Sequence, residues 1–195
     1  SSHLTALPMN NFLAFVHRVV FTGGLLLFSL FPADGIAQST EKSAVTQVAQ
    51  VMHPPVDEMS GIVKSRQYEN VWWVHNDSGD QPRVFAIDST GAVHVRPFLK
   101  ERYAVGEAAD TSDAPVWPGL RIGAAAHIDY EDMAMRDSTL LIGDIGNNGN
   151  ARRDLGIYAV SEPHFYTQRT RPKKYIPIAY PDQSAYPTEE WHFDA

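Results

Sequence analysis

The sequence predicts an all-β fold, and three observations carry that prediction. Short runs rich in Val, Ile and aromatic residues recur between Gly, Pro, Asn and Asp; no stretch after residue 37 keeps a helical period for three turns; and one strand–turn–strand frame occurs twice. The runs are residues 61–63, 71–75, 83–87, 92–97, 132–135, 139–142, 156–160 and 175–180. Each is bounded by residues that end strands, the pattern of many short strands joined by turns. Asp88-Ser89-Thr90-Gly91 separates two alternating runs and reads as a hairpin turn. Residues 100–120 mix Gly, Pro, Ala and Asp without a period and read as a long loop with room for one helical turn. Residues 38–57 begin Ser/Thr/Gln-rich and read as a linker or an entering edge strand.

The first 37 residues stand apart from this pattern. Met9 reads as the start of the protein, with residues 1–8 as upstream residues foreign to the fold. His17 and Arg18 precede an apolar run of 13 residues, 19–31, and Gly35-Ile36-Ala37 supplies small residues for cleavage. Together these are the parts of a secretory signal peptide, residues 9–37. The run is too short for a transmembrane anchor, which needs about 20 apolar residues. Gly23-Gly24 argues against a buried helix. The expectation is a mature N-terminus at Gln38 and a periplasmic or secreted bacterial protein, with no membrane anchor after cleavage.

Composition narrows the chemistry. The 195 residues carry 16 Lys+Arg against 23 Asp+Glu, a formal net charge of −7. An acidic chain without a dense basic stretch is a poor ligand for nucleic acid, where affinity comes from Lys and Arg on phosphates. The basic residues at 169–174 surround Pro172 and read as an exposed turn. There is no cysteine, which excludes a disulfide framework, a Cys-ligated zinc site, a thiol nucleophile and a lipoprotein anchor.

The repeat decides the architecture. The first unit joins Glu58-Met59-Ser60-Gly61-Ile62, then 72–80 with His75-Asn76-Asp77-Ser78-Gly79, then Val84-Phe85-Ala86-Ile87. The second joins Glu131-Asp132-Met133, then 140–147 with Gly143-Asp144-Ile145-Gly146-Asn147, then Ile157-Tyr158-Ala159-Val160. Superposing them sets Glu58 on Glu131, Asp77 on Asp144, Gly79 on Gly146 and Phe85 on Tyr158. A third unit begins at Thr188-Glu189-Glu190-Trp191. Three strands and a connecting fourth make a β-propeller blade of roughly 40–50 residues. Residues 58–195 are therefore expected to hold two to three four-stranded blades of an incomplete propeller, since closed ones use about 4–8. The competing reading is a β-sandwich in which an Asp-Gly turn recurs by chance.

At these residues the chain resembles a known group. Glu58-Met59-Ser60-Gly61-Ile62, His75-Asn76-Asp77-Ser78-Gly79-Asp80, Asp129-Tyr130-Glu131-Asp132-Met133-Ala134 and Gly143-Asp144-Ile145-Gly146-Asn147-Asn148 resemble motifs of secreted, mostly uncharacterised bacterial propeller proteins. More distantly the chain is similar to six-bladed propellers of the gluconolactonase-like, esterase-like phytase and TolB-like kinds. That resemblance implies a divalent metal in a central channel.

From the residues themselves, acids at strand ends are the leading site candidates. Glu58, Asp77, Glu131 and Asp144 are expected to converge and attract Ca²⁺ or another divalent cation, with Asn76, Asn147 or Asn148 adding carbonyl oxygens. The alternative for Asp77 and Asp144 is a turn role, because Asp before Gly bonds its own backbone. No Gly-x-Ser-x-Gly elbow exists; His75 beside Asp77 is the weak candidate for a catalytic base, against a scaffold role. Trp72 and Trp73 point to opposite faces of a strand, so one is core and one, taken as Trp73, is a stacking platform for a ligand. Arg152 beside the Asn-rich loop is a candidate clamp for carboxylate or phosphate. The expected function is binding of a small molecule, glycan or protein at the loop face or central channel; the alternative is a metal-assisted hydrolase of lactonase or phosphoesterase type.

Overall fold

The structure, a computed structural model, describes residues 46–189. The signal segment and Glu190-Trp191 lie outside these residues. Among the described residues the fold is all-β, with strands in two sheets. β1 (Met59–Lys64), β2 (Trp72–Asn76), β3 (Arg83–Ile87) and β4 (Leu120–Ile122) lie side by side in chain order, each antiparallel to the one before. β5 (Tyr130–Arg136), β6 (Thr139–Asp144), β7 (Gly156–Ser161) and β9 (Pro172–Pro177) repeat the plan in the second sheet. On the way to β9 the chain crosses to the first sheet, where β8 (Arg169–Thr170) pairs parallel with β4. The first strands meet: β1 runs beside β5, and Ser60 Oγ donates to the Tyr130 carbonyl at 2.8 Å.

Packing explains why β2 and β3 read as unbroken apolar runs. One face of the first sheet, with Trp73, Val84 and Ala86, shares a core with Tyr130, Met133, Leu140 and Ile142 of the second. The other face, with Val74, Phe85 and Ile87, is covered by Val93, Val95, Leu99 and Trp117. A sheet buried on both faces loses its polar alternation. The second sheet has one such face; on the other, Leu141, Ile145 and Ile157 are half-buried and Ala134 is exposed.

The predicted strands at 61–63, 71–75, 83–87, 132–135, 139–142 and 156–160 are all found, with ends extended or shifted by up to two residues. The hairpin turn also forms: Gly91 N donates to the Asp88 carbonyl at 3.0 Å, and Asp88 Oδ1 takes the Thr90 amide at 2.8 Å. Its second arm does not become a strand. After the bridge Ile87↔Val93, Pro97 opens a 3-10 turn (Pro97–Leu99) and the chain leaves to cover the sheet. The fourth strand comes later, at the end of the stretch read as loop, which also holds the 3-10 turn Gly106–Asp110. The last strand is shifted to Pro172–Pro177 because it is an edge: Lys173 and Lys174 are exposed, so it lacks the apolar signature.

Register corrects the superposition of the two units. Met59 pairs with Asn76 and Tyr130 with Asp144; after a bulge in each first strand, Gly61 pairs with His75 and Asp132 with Gly143. Asp144 therefore corresponds to Asn76, not to Asp77. The loop bonds agree, since Asp77 N donates to the Glu58 carbonyl at 2.8 Å and Ile145 N to that of Asp129 at 3.1 Å. Glu58 thus corresponds to Asp129, and Glu131 falls on Ser60. Phe85 and Tyr158 do correspond, facing Val74 and Ile142.

Gly119 shows how tightly the first sheet is covered. Its φ is +82°, and an added Cβ would lie 2.8 Å from the Phe85 ring. Gly119→Ala should destabilise the fold by about 2 kcal/mol, from the left-handed backbone and the overpacked ring together, as read by urea denaturation.

Candidate metal centre

The acids that converge are Asp77, Asp129 and Glu131, each offering a carboxylate oxygen within 4.8 Å of the other two. Asp77 follows β2, Asp129 precedes β5, and Glu131 sits in the β5 bulge. A bulge adds one residue to a strand and re-aims its side chains. In the first unit the bulge residue is Ser60, which bonds to the Tyr130 carbonyl, so the acid at this position belongs to the second unit alone. Asp129 is buried, while Asp77 and Glu131 are half-buried. Asn148 Nδ2 donates to Asp129 Oδ2 at 3.0 Å. Gly146 closes the other side: a methyl group there would strike the carboxylates of both Glu131 and Asp129.

Like charges held this close repel, and burial of Asp129 weakens the screening by water. A hard cation relieves that repulsion. Ca²⁺ takes about 6–8 oxygens, and carboxylates bind it in one- or two-oxygen fashion. Three carboxylates therefore supply three to six of those oxygens. Gly146→Ala should lower Ca²⁺ affinity at least about tenfold by wedging those two carboxylates apart, measured by calorimetric titration.

The other candidates take different places. Asp144 is buried and is not one of the grouped acids: its Oδ1 takes the Asp129 amide at 3.0 Å and pairs with Arg152 Nη1 at 2.9 Å. Glu58 is exposed and lines a small cavity of about 230 Å³ with Asp57, Ser78 and Asp80. Asn76 is buried, its amide donating to the Pro55 carbonyl at 2.7 Å and to Asp80 at 3.0 Å. Asn147 is buried in its own loop, where its Oδ1 takes the Arg152 amide at 2.8 Å and its Nδ2 donates to Gln183 at 3.3 Å. Trp73 is fully buried, so it is core and not a stacking platform; Trp72 is the half-buried one, with Lys64 over its ring. Arg152 is held by Asp144, by Asp154 at 3.2 Å and by the Gly146 carbonyl at 2.8 Å. Burial alone would lower its pKa, but the two carboxylates raise it above the usual arginine value. It braces the loop that carries Gly146 and Asn148.

His75 does not form a base with Asp77. It is fully buried, and burial lowers its pKa, with the carbonyls of Asn76 and Asp132 partly restoring it. Its Nδ1 lies 2.9 Å from the Asn76 carbonyl, which only accepts, so Nδ1 carries the proton. Ser60 Oγ, 3.2 Å from the same nitrogen, accepts from it and gives its own proton to Tyr130. The bare Nε2 faces the Cα of Gly61. Tyr130 is likewise fixed: burial pushes its pKa far up, and its hydroxyl donates to the Ala126 carbonyl at 2.8 Å.

Asp129 is the acid of this cluster that sequence reasoning passed over. Its signal was the alternation Asp129-Tyr130-Glu131, which puts two acids on one side of a strand around a buried ring.

Comparison with known proteins assigns nothing further: no protein-family model matches the chain, and no curated protein or solved structure matches it. No helix among the described residues is long and apolar enough to cross a membrane.

Proposed function

We propose that the two sheets are consecutive blades of a β-propeller of an exported protein, and that this protein binds a divalent cation, Ca²⁺ above all, where the blades' first strands meet. The cation then holds an anionic or polyhydroxy ligand at the loop face. The observation that carries the reading is the convergence of Asp77, Asp129 and Glu131. Support for blades comes from the repeat. Leu141 and Ala159 pair across the second sheet as Trp73 and Ala86 do across the first. Trp73 and Ala86 belong to the core shared by the two sheets, whereas Leu141 stays half-buried on the open face. A third sheet laid on that face would repeat the existing packing. Export and the family resemblance rest on the sequence motifs.

A metal-assisted hydrolase needs a base beside the cation, and His75, fully buried with its bare Nε2 packed against Gly61, does not fill that role. Binding is therefore the better reading. Calorimetric titration of Ca²⁺ into the chelator-treated chain should show saturable binding, weakened at least about tenfold in Glu131→Gln. Absence of binding, or the same affinity in both proteins, would overturn it.

A further inference from the structure

A cavity of about 690 Å³ lies away from the acids, between Gln50 and His53 of the entering chain, the turn at Gly91, and the loop bearing Tyr103 and Gly106. His53 is buried at its wall. Its Nε2 lies 2.8 Å from the Trp117 carbonyl, which only accepts, so that nitrogen carries the proton. Its Nδ1 is then bare and takes the Gly106 amide at 3.3 Å. One neutral ring thus ties the middle and the end of the covering loop to the chain entering the first sheet, with the edge of the Phe85 ring packed against it.

We propose that His53 is an acid-sensitive latch: neutral, it fastens residues 97–117 across the second face of the first sheet, and its protonation releases that loop and opens the cavity. Adding a proton to Nδ1 sets two N–H groups against each other and leaves a buried cation with the Trp117 carbonyl but no counter-ion. The charged groups around it do not help. Arg83 on β3 has the same sign and is committed to Asp80, while Lys100, Glu101 and Glu107 line the cavity from the loop that would leave. Burial lowers the pKa of His53, the Trp117 carbonyl partly restores it, and Arg83 lowers it further. The latched form therefore resists the proton that the open form takes at the ordinary imidazole pKa of about 6.5, and between the two values each pH unit downward favours the open form about tenfold. The latch is closed at neutral pH and loosens on acidification.

Amide hydrogen exchange of the full chain, corrected for the intrinsic effect of pH, tests this. Residues 104–117 should lose protection by about tenfold per pH unit below about pH 6.5, while residues 139–144 of the second sheet keep theirs. His53→Gln, whose amide offers one donor and one acceptor at similar spacing, should remove that pH dependence. Unchanged protection down to about pH 5 in the wild type, or the same loss in His53→Gln, overturns the latch. If the variant does not fold, NMR titration of the wild-type His53 ring decides: a pKa below the ordinary value supports the latch, and one at or above it contradicts it.

Discussion

Trp73→Ala should cost the fold about 3–5 kcal/mol, a large part of the total stability of an ordinary domain. Two losses combine. The indole is fully buried at the centre of the core that joins the sheets, so alanine leaves a cavity its rigid strand neighbours cannot fill. The indole N–H also donates to Glu162 Oε1 at 3.0 Å. Glu162 is buried between the sheets, its Oε1 also accepts from Ser65, and its Oε2 has no hydrogen-bond partner. Taking away a donor leaves that carboxylate less compensated. Trp73→Phe separates the terms, keeping most of the volume and losing the bond, and should cost about 1–3 kcal/mol. Urea denaturation reads both, and equal costs would show that the bond to Glu162 dominates instead of the cavity.

Asp144→Ala should be almost as damaging, at about 3 kcal/mol, because it strands Arg152 and the Asp129 amide together. Asp144 is buried and Arg152 nearly so, and removing one partner of such a pair leaves a charge without its counter-ion. Asp154, the other acid on Arg152, is exposed and screened by water, so it replaces little of the loss. The variant should also bind Ca²⁺ more weakly, since Asp144 fixes the backbone of Asp129. Asp144→Asn keeps an acceptor for that amide and should lose less affinity than stability. Denaturation and calorimetry on both variants check the order.

The fold class was legible because β2, β3, β6 and β7 are central strands whose apolar runs are set by burial. The edges were not. β9 carries Lys173 and Lys174 because an exposed edge needs no apolar face, and β4 hides behind a long loop. The site was half legible. Asp77 and Glu131 were named, but acids that brace a loop look the same in sequence as acids that converge, and Asp144 is of the first kind. A bulge moves side chains by one position without leaving a mark of its own, so Glu58 was set on Glu131 when it stands where Asp129 does. Trp72 and Trp73 could not be told apart because their strand is buried on both faces.

The most direct test is an anomalous difference map from crystals of the chain grown with Ca²⁺ and then with Mn²⁺ in its place. The account predicts one peak bonded to Asp77, Asp129 and Glu131, with Ca–O distances of about 2.3–2.6 Å. Crystals saturated with the cation that show those three carboxylates without a peak between them would contradict it.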